Sequence, residues 1–218
     1  MRSLAEASDA RARMVDGQLR RRGISDEVVL DAMGRVPRER FVPEAVRGLA
    51  YEDGALPIGH GQTISQPYMV AAICSLLALG THDRVLDVGT GSGYQAAVLA
   101  ELAGEVVTIE RVPELAQAAG AALAESGYEH VEVVVGDGSL GVAHRAPFDA
   151  IAVAAAAPAI PTTLYDQLAH GGRLVLPRGS RRGQELVLVT KTSSGPREQL
   201  SVPCRFVPLV GDEGFADV

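Results

Sequence analysis

The chain has 218 residues, of which 47% are hydrophobic and 4% aromatic, and its formal net charge is −7. This length fits one α/β domain with an appendage, and the apolar content excludes an intrinsically disordered chain. The negative charge argues against a protein that holds a long nucleic-acid backbone, because phosphate contacts need an excess of Lys and Arg. We therefore expect no nucleic-acid partner.

The cysteines and the first charged positions bear on cellular location. Cys74 and Cys204 are far apart and neither belongs to a C-x-x-C pair, which gives no support for a metal site or a disulfide framework. Glu6, Asp9 and Arg11 lie where a signal peptide would be apolar, and no apolar run reaches the length of a membrane span. We expect a cytoplasmic monomer with no bound metal and no membrane partner.

Residues 1–80 are predicted to form an N-terminal helical extension that carries a loop for substrate and cofactor. Val29, Met33 and Val36 follow Asp26 at the i, i+4, i+7 spacing of one short amphipathic helix.

The segment 51–66 is dense in Gly and Pro yet poor in charge after Asp53. This composition indicates an ordered loop rather than a linker. A second helix is predicted over residues 67–79, which place apolar side chains on one face.

Residues 81–218 are predicted to form the core. Their apolar runs, separated by helical segments, are RVLDVG, EVVTIE, VEVVVGD, FDAIAVA, GRLVLP and QELVLVTK. Runs that are apolar at every position indicate strands buried on both faces of a parallel sheet. No helical pattern separates QELVLVTK from the closing run LSVPCRFVPLV, so the last strands should be antiparallel. The predicted fold is α/β: a Rossmann-like, doubly wound and mostly parallel sheet of about seven strands with antiparallel C-terminal strands.

A glycine loop follows the first of these strands. Gly89, Gly91 and Gly93 stand between RVLDV and a helix that should begin near Tyr94, at the edge where such sheets bind ligands. The glycines alone could make a tight turn and nothing more. Asp87, just before them, would repel the pyrophosphate of a dinucleotide but attract S-adenosylmethionine, which carries an ammonium and a sulfonium and no phosphate. The loop therefore favours S-adenosylmethionine as the cofactor.

Two more acids end the next two strands. Glu110 lies near the spacing at which nucleotide-binding sheets place an acceptor for both ribose hydroxyls. Asp137 could accept from an adenine amino group, while Gly138 allows close approach of the backbone. Each acid alone could be a helix N-cap, but three acids at successive strand ends, counting Asp87, favour a ligand site.

VLDVGTGSG resembles the first motif of class I methyltransferases, and nearly the whole chain resembles the protein-L-isoaspartate O-methyltransferase family. The run GHGQTISQPY is the most specific part, because neither the fold nor the general motif requires it. The resemblance implies that Ser65 contacts the carboxylate to be methylated. With the glycine loop, it assigns cofactor contacts to Gln62, Thr63, Ile64, Asp87, Gly89, Gly91, Gly93, Glu110, Arg111, Asp137 and Gly138. It assigns further substrate contacts to His60, Val207, Pro208 and Leu209.

Other interpretations of these residues stay open. Ser65 precedes Pro67 at a helix start, so it also fits a helix N-cap. His60 fits a loop-packing residue. His130, His144 and His170 fall in predicted turns or helix ends and are expected at the surface.

The resemblance implies methyl transfer from S-adenosylmethionine to the free α-carboxylate of L-isoaspartyl residues in damaged proteins and peptides, which starts repair through a succinimide. Such a carboxylate is already ionised at neutral pH, which agrees with the lack of a nucleophile elbow or a metalloprotease motif. The alternative is a methyltransferase dedicated to an aspartate of one biosynthetic peptide. A nucleic-acid methyltransferase or a noncatalytic cofactor-binding module is less favoured.

Two positions depart from the family pattern. Arg178 follows Leu-Pro where a small apolar residue is usual, and Ala154 replaces the usual Gly or Thr. Both departures bear on the breadth of peptide substrates rather than on the type of reaction.

Overall fold

The computed structural model describes residues 4–216, so the ends of the two predicted segments, 1–3 and 217–218, lie outside the described residues. The α-helices are α1 (Leu4–Met14), α2 (Glu27–Arg35), α3 (Pro67–Leu77), α4 (Tyr94–Ala100), α5 (Pro113–Glu125) and α6 (Thr162–Asp166). The strands are β1 (Leu56–Gly59), β2 (Gln62–Ile64), β3 (Arg84–Val88), β4 (Glu105–Glu110), β5 (Glu132–Val135), β6 (Phe148–Val153), β7 (Leu168–Gly179), β8 (Gln184–Thr192) and β9 (Gly195–Cys204). A π-helical turn spans Val15–Leu19, and 3₁₀ helices span Arg20–Arg22, Arg38–Phe41, Glu44–Leu49, Gly138–Leu140 and Ala143–Arg145.

Seven strands form one sheet in the order β5-β4-β3-β6-β7-β8-β9. The strands from β5 to β7 are parallel, and β8 and β9 are antiparallel to their neighbours. The chain runs outward from β3 to β5 and then returns to β6 on the other side of β3, which creates a topological switch point between β3 and β6. The predicted Rossmann-like sheet with antiparallel C-terminal strands is confirmed.

Both faces of the sheet are covered. Along β3, Val85 belongs to one hydrophobic cluster and Leu86 to the other, as the two-residue period of a strand requires. The cluster of Val85 also contains Met14 and Leu30 from the N-terminal helices. Burial of one such side chain contributes about 1.5–3 kcal/mol, so the N-terminal helices are held to the sheet by their apolar faces.

The two predicted helices of the N-terminal segment are present. Helix α2 begins after Asp26, whose carboxylate accepts from the backbone N–H groups of Val28 and Val29. Helix α3 ends at Leu77 rather than at residue 79, because Ala78 adopts a left-handed conformation with φ of 46°.

Three further details of the prediction were wrong. The segment 51–66 contains the hairpin β1–β2, whose strands of four and three residues are too short to show a periodic pattern. Strand β5 is a half-exposed edge strand, because it lies at the end of the sheet and is not buried on both faces.

The third error concerns the closing run of residues 200–210. Strand β9 begins earlier, at Gly195, and ends at Cys204. The chain then leaves the sheet and crosses the carboxyl end of β6, where the Ala156 N–H donates to Val207 O and the Leu209 N–H donates to Ala156 O. These bonds satisfy the backbone in place of a strand partner.

No helix within residues 4–216 combines the length and the apolar character needed to cross a membrane.

Candidate active site

A cavity of about 290 Å³ opens at the carboxyl ends of β3, β4 and β6, next to the switch point. Most of the predicted site residues line it: His60, Gln62, Thr63, Ile64, Ser65, Gly89, Gly91, Glu110, Arg111, Gly138, Val207, Pro208 and Leu209. Asp87, Gly93 and Asp137 are outside its lining. The hairpin β1–β2, the sheet edge and the segment after β9 thus form one site.

The glycine loop needs its glycines for two different reasons. Gly89, Gly91 and Gly93 have φ of 93°, 52° and 86°, in the left-handed region that favours glycine, and the first two line the cavity. A Cβ on Gly93 would lie 3.2 Å from Leu123 Cγ and 3.4 Å from Ala119 Cβ. Gly93 therefore allows the loop to pack against α5, away from the cavity.

Glu110 is the last residue of β4 and is buried at the cavity wall. Its Oε2 accepts from the Gly91 N–H at 2.9 Å, and its Oε1 accepts from the Val112 N–H at 3.0 Å. A carboxylate offers about four lone-pair sites, so each oxygen can accept one more hydrogen bond. The side chain is thereby held in place with capacity for two hydroxyl donors.

Asp87 lies beneath the glycine loop and is completely buried. Its Oδ1 accepts from Gln95 Nε2 at 2.8 Å and its Oδ2 accepts from Thr108 Oγ1 at 2.9 Å. Burial raises the pKa of Asp87 to about 6, against the two hydrogen bonds that lower it. Asp87 therefore does not reach the cavity itself, whereas its hydrogen-bond partner Gln95 lines the cavity.

Asp137 ties down the C-terminal segment. Its Oδ1 accepts from the Ser139 N–H and its Oδ2 accepts from the Asp212 N–H, both at 2.8 Å. Burial alone would raise the pKa of Asp137, but the hydrogen bonds from Asp212 and Ser139 outweigh it, and the pKa is lowered. Gly138 lines the cavity, and a Cβ there would lie 2.7 Å from Val88 Cγ1. This position is therefore restricted to glycine by the close approach of Val88.

Ser65 is not the N-cap of α3, contrary to one interpretation of the sequence. The N-cap is Gln66, whose carbonyl accepts from the N–H groups of Met69 and Val70 and whose side chain makes no capping bond. The helix starts at Pro67 itself, which places Ser65 one residue too early to cap it. Within residues 4–216, the Ser65 hydroxyl has no hydrogen-bond partner, so it can bind a ligand.

A groove of about 630 Å³ lies on the other side of Ser65, with Arg22, Tyr68 and Phe206 in its lining. The cavity and the groove share four lining residues: Thr63, Ser65, Ala154 and Val207. Of the residues assigned to the substrate, Ser65 and Val207 line both spaces. His60, Pro208 and Leu209 line the cavity alone.

Several lining residues were not identified from the sequence. Tyr94 and Gln95 line the cavity directly after the glycine loop, and the motif GSGYQ could have indicated them. Ala154, noted as a departure, follows β6 at the switch point, which is the position where a ligand contact is expected. Arg178, the other departure, pairs with Glu198 at 2.7 Å and lines neither space.

The two cysteines and the remaining candidate histidines lie outside the lining of the cavity. In the described part of the chain, no three His, Cys, Asp or Glu side chains are grouped so as to hold a metal ion. His130, His144 and His170 are exposed. Both cysteines are free; Cys74 is buried and Cys204 is half-buried in the groove lining.

The seven-stranded sheet with its switch point, together with the acid-flanked glycine loop, defines a Rossmann-like methyltransferase. Residues 10–214 match the family model described as protein-L-isoaspartate(D-aspartate) O-methyltransferase. The chain belongs to the protein-L-isoaspartate(D-aspartate) O-methyltransferase family.

Individual relatives agree with this assignment. The chain is 56% identical to protein-L-isoaspartate O-methyltransferase 2 of Marinobacter nauticus over 96% of this chain and 97% of that protein. It is 54% identical to protein-L-isoaspartate O-methyltransferase of Methanoculleus marisnigri over 94% and 93% of the two chains. It also resembles the crystal structure of a protein-L-isoaspartate O-methyltransferase from Plasmodium falciparum in complex with S-adenosyl-L-homocysteine, with a TM-score of 0.81, 28% identity and coverage of 92% and 98% of the two chains.

Proposed function

We propose that this chain transfers the methyl group of S-adenosylmethionine to the free α-carboxylate of L-isoaspartyl residues in damaged proteins and peptides, which starts repair through a succinimide. One observation carries the proposal: Ser65 lines both the cavity and the groove. A methyl donor in the cavity and a peptide carboxylate in the groove would meet at this side chain.

The cavity suits S-adenosylmethionine in shape and charge. The Gly91 and Gly138 backbones line it closely, and Glu110 retains capacity for both ribose hydroxyls. Gly138, with Asp137 behind it, would border the adenine. Gln95, with the buried Asp87 behind it, would face the ammonium end, where a negative field is favourable. Residues 62–64, Arg111 and Val207–Val210 would close the remaining sides.

S-adenosylmethionine supplies a sulfonium methyl group that a carboxylate oxygen can attack directly. The substrate carboxylate is ionised at neutral pH, so the protein needs no general base. The Ser65 hydroxyl would donate to one carboxylate oxygen and thereby orient the other. The apolar wall of Val207 and Leu209 would exclude water, which favours a transition state in which opposite charges are neutralised.

The same proposal covers the organisation of the chain and its setting. Residues up to 80 supply the helical extension and the hairpin that border the peptide, and residues from 81 onward supply the cofactor-binding core. We infer a monomer, because the exposed large apolar side chains within residues 4–216, such as Val28, Val135 and Leu200, lie on different elements of the fold. We infer a cytoplasmic location, since two free cysteines suit a reducing compartment.

The decisive experiment is transfer of a labelled methyl group to two synthetic peptides that differ by isoaspartate or aspartate at one position. We expect a base-labile ester on the isoaspartyl peptide alone. Failure with both peptides, in a protein that still binds S-adenosylhomocysteine, would refute the proposal and favour a dedicated peptide substrate.

A further inference from the structure

Arg38 is a fully buried cation in the 3₁₀ helix Arg38–Phe41. Its guanidinium donates hydrogen bonds to two backbone carbonyls, those of Ala50 and Ser65. Among residues 4–216, no carboxylate forms an ion pair with it. Burial lowers the pKa of Arg38 to about 10, so the group still carries its charge at neutral pH. Burying a charge without a counter-ion opposes folding, and packing alone would be served better by an apolar side chain.

The contacts of Arg38 connect parts of the site whose relative positions must be fixed for the reaction. Its Nε donates to Ala50 O at 2.7 Å and its Nη2 donates to Ser65 O at 2.8 Å. Its Cζ lies 4.7 Å from the ring centroid of Tyr94, within the range of a cation–π interaction. Tyr94 begins α4 directly after the glycine loop and lines the cofactor cavity. One rigid, planar group therefore holds Ser65 at a fixed position relative to the cofactor loop.

We propose that Arg38 is a positioning residue for methyl transfer, which fixes the backbone of Ser65 so that its hydroxyl orients the substrate carboxylate toward the methyl donor. This inference rests on the role proposed for Ser65. A lysine at position 38 keeps the charge but presents a point donor that cannot reproduce the planar fork between Ala50 and Ser65. The expected consequence is a misplaced Ser65 in an otherwise intact protein.

The test is a double-mutant cycle of the full chain, with Arg38→Lys, Ser65→Ala and the combination, each measured for kcat and KM on an isoaspartyl peptide. Misplacement of a positioning group lowers rates by about tenfold to a hundredfold, so we expect Arg38→Lys to lower kcat in that range. In the Ser65→Ala background the same substitution should change kcat by less than about twofold, because its effect acts through the missing hydroxyl. Binding of S-adenosylhomocysteine should be preserved in all three variants.

Arg40→Lys is the matched control. Arg40 lies in the same 3₁₀ helix and also donates to a backbone carbonyl, that of Glu125, but it is exposed and lines neither the cavity nor the groove. Its substitution should leave kcat unchanged. Where Arg38→Lys does not fold, Arg38→Gln retains one donor for the Ser65 carbonyl and replaces it in the cycle.

Each contrary result has a distinct meaning. An equal loss of kcat from Arg38→Lys in both backgrounds, or no loss in either, would overturn the positioning role. So would failure of both Arg38 variants to fold, since Arg38 would then serve the core alone. Unchanged kcat in Ser65→Ala by itself would refute the proposed role of Ser65 and thereby the premise of this inference.

Discussion

The backbone N–H of Gly91 donates to Glu110 Oε2 at 2.9 Å, so the glycine loop and the last residue of β4 form one hydrogen-bonded unit. The other oxygen of Glu110 accepts from the Val112 N–H at the entry to α5. A single carboxylate thus orders two loops at the sheet edge and presents its remaining lone pairs to the cavity.

Replacement of this carboxylate by an amide tests its role. In Glu110→Gln, the amide NH₂ must face either the Gly91 or the Val112 N–H, which are both donors, and the charge that would bind the ribose hydroxyls is lost. Hydrogen bonds to charged groups contribute about 1.5–3 kcal/mol, which corresponds to an increase of roughly 10- to 100-fold in the Kd for S-adenosylhomocysteine. Isothermal titration calorimetry measures this, with Glu114→Gln, an exposed residue of α5, as the control. Unchanged affinity would contradict the assignment.

Ser65→Ala separates catalysis from cofactor binding. The hydroxyl is expected to orient the substrate carboxylate, so its loss should lower kcat by about tenfold to a hundredfold. The affinity for S-adenosylhomocysteine should stay within about twofold, because Glu110 and the glycine loop are intact. Steady-state kinetics and calorimetry on the same preparation give both values, and Ser8→Ala on the exposed face of α1 is the control. An equal loss of rate and affinity would count against an orienting role.

Substitution by alanine should change the unfolding free energy in opposite directions at two glycines that have no positive φ. At Gly138, a Cβ would lie 2.7 Å from Val88 Cγ1 in the cavity wall, and such overpacking costs about 1–3 kcal/mol of unfolding free energy. At Gly120, inside α5, a Cβ meets nothing within 4 Å, so alanine should stabilise the helix by about 0.5–1 kcal/mol. Urea unfolding of the two variants checks both values. Equal stability of Gly138→Ala and the parent chain would show that Val88 can move aside.

Asp87 should make stability depend on pH. Its pKa of about 6 in the folded protein exceeds the ordinary value of 3.8, so the folded state holds the proton more tightly than the unfolded state does. The contribution of Asp87 to the unfolding free energy is therefore fully present below about pH 4 and is lost as the pH rises through about 6. The unfolding free energy of the parent chain minus that of Asp87→Asn should fall by about 2–3 kcal/mol between pH 4 and pH 7.

Denaturant titrations at the two pH values measure this difference. Asp31→Asn, which removes one exposed charge from α2, is the control for a change in net charge. A difference that stays constant between pH 4 and pH 7 would mean that Asp87 is ionised as easily in the folded chain as in the unfolded chain.

The sheet and most of the cavity could be predicted from the sequence because their signals are local. Buried parallel strands leave unbroken apolar runs, and the position of Glu110 at the end of one such run already places it at the ligand edge. The hydrogen bonds of Asp87 and Asp137 could be found only in the structure. Their hydrogen-bond partners Gln95 and Asp212 are separated from them by 8 and 75 residues, and nothing in the sequence pairs them.

Arg38 shows a different limit of sequence interpretation. In the run PRERF it follows a proline and precedes two charged residues, which is the pattern of an exposed turn, yet it is completely buried. Its burial depends on carbonyls supplied by Ala50 and Ser65, 12 and 27 residues away, which accept its hydrogen bonds. Tertiary contacts of this kind leave no trace in composition or periodicity.

The wall formed by Val207–Val210 has a consequence for the order of events during folding. All seven strands of the sheet precede residue 205, whereas the cavity is closed by residues that follow it and are tied back to Asp137 through Asp212. The sheet can therefore form while its ligand cavity is still open on one side. Stabilisation by bound S-adenosylmethionine becomes fully available only after this last segment has docked, so folding of the sheet proceeds without it.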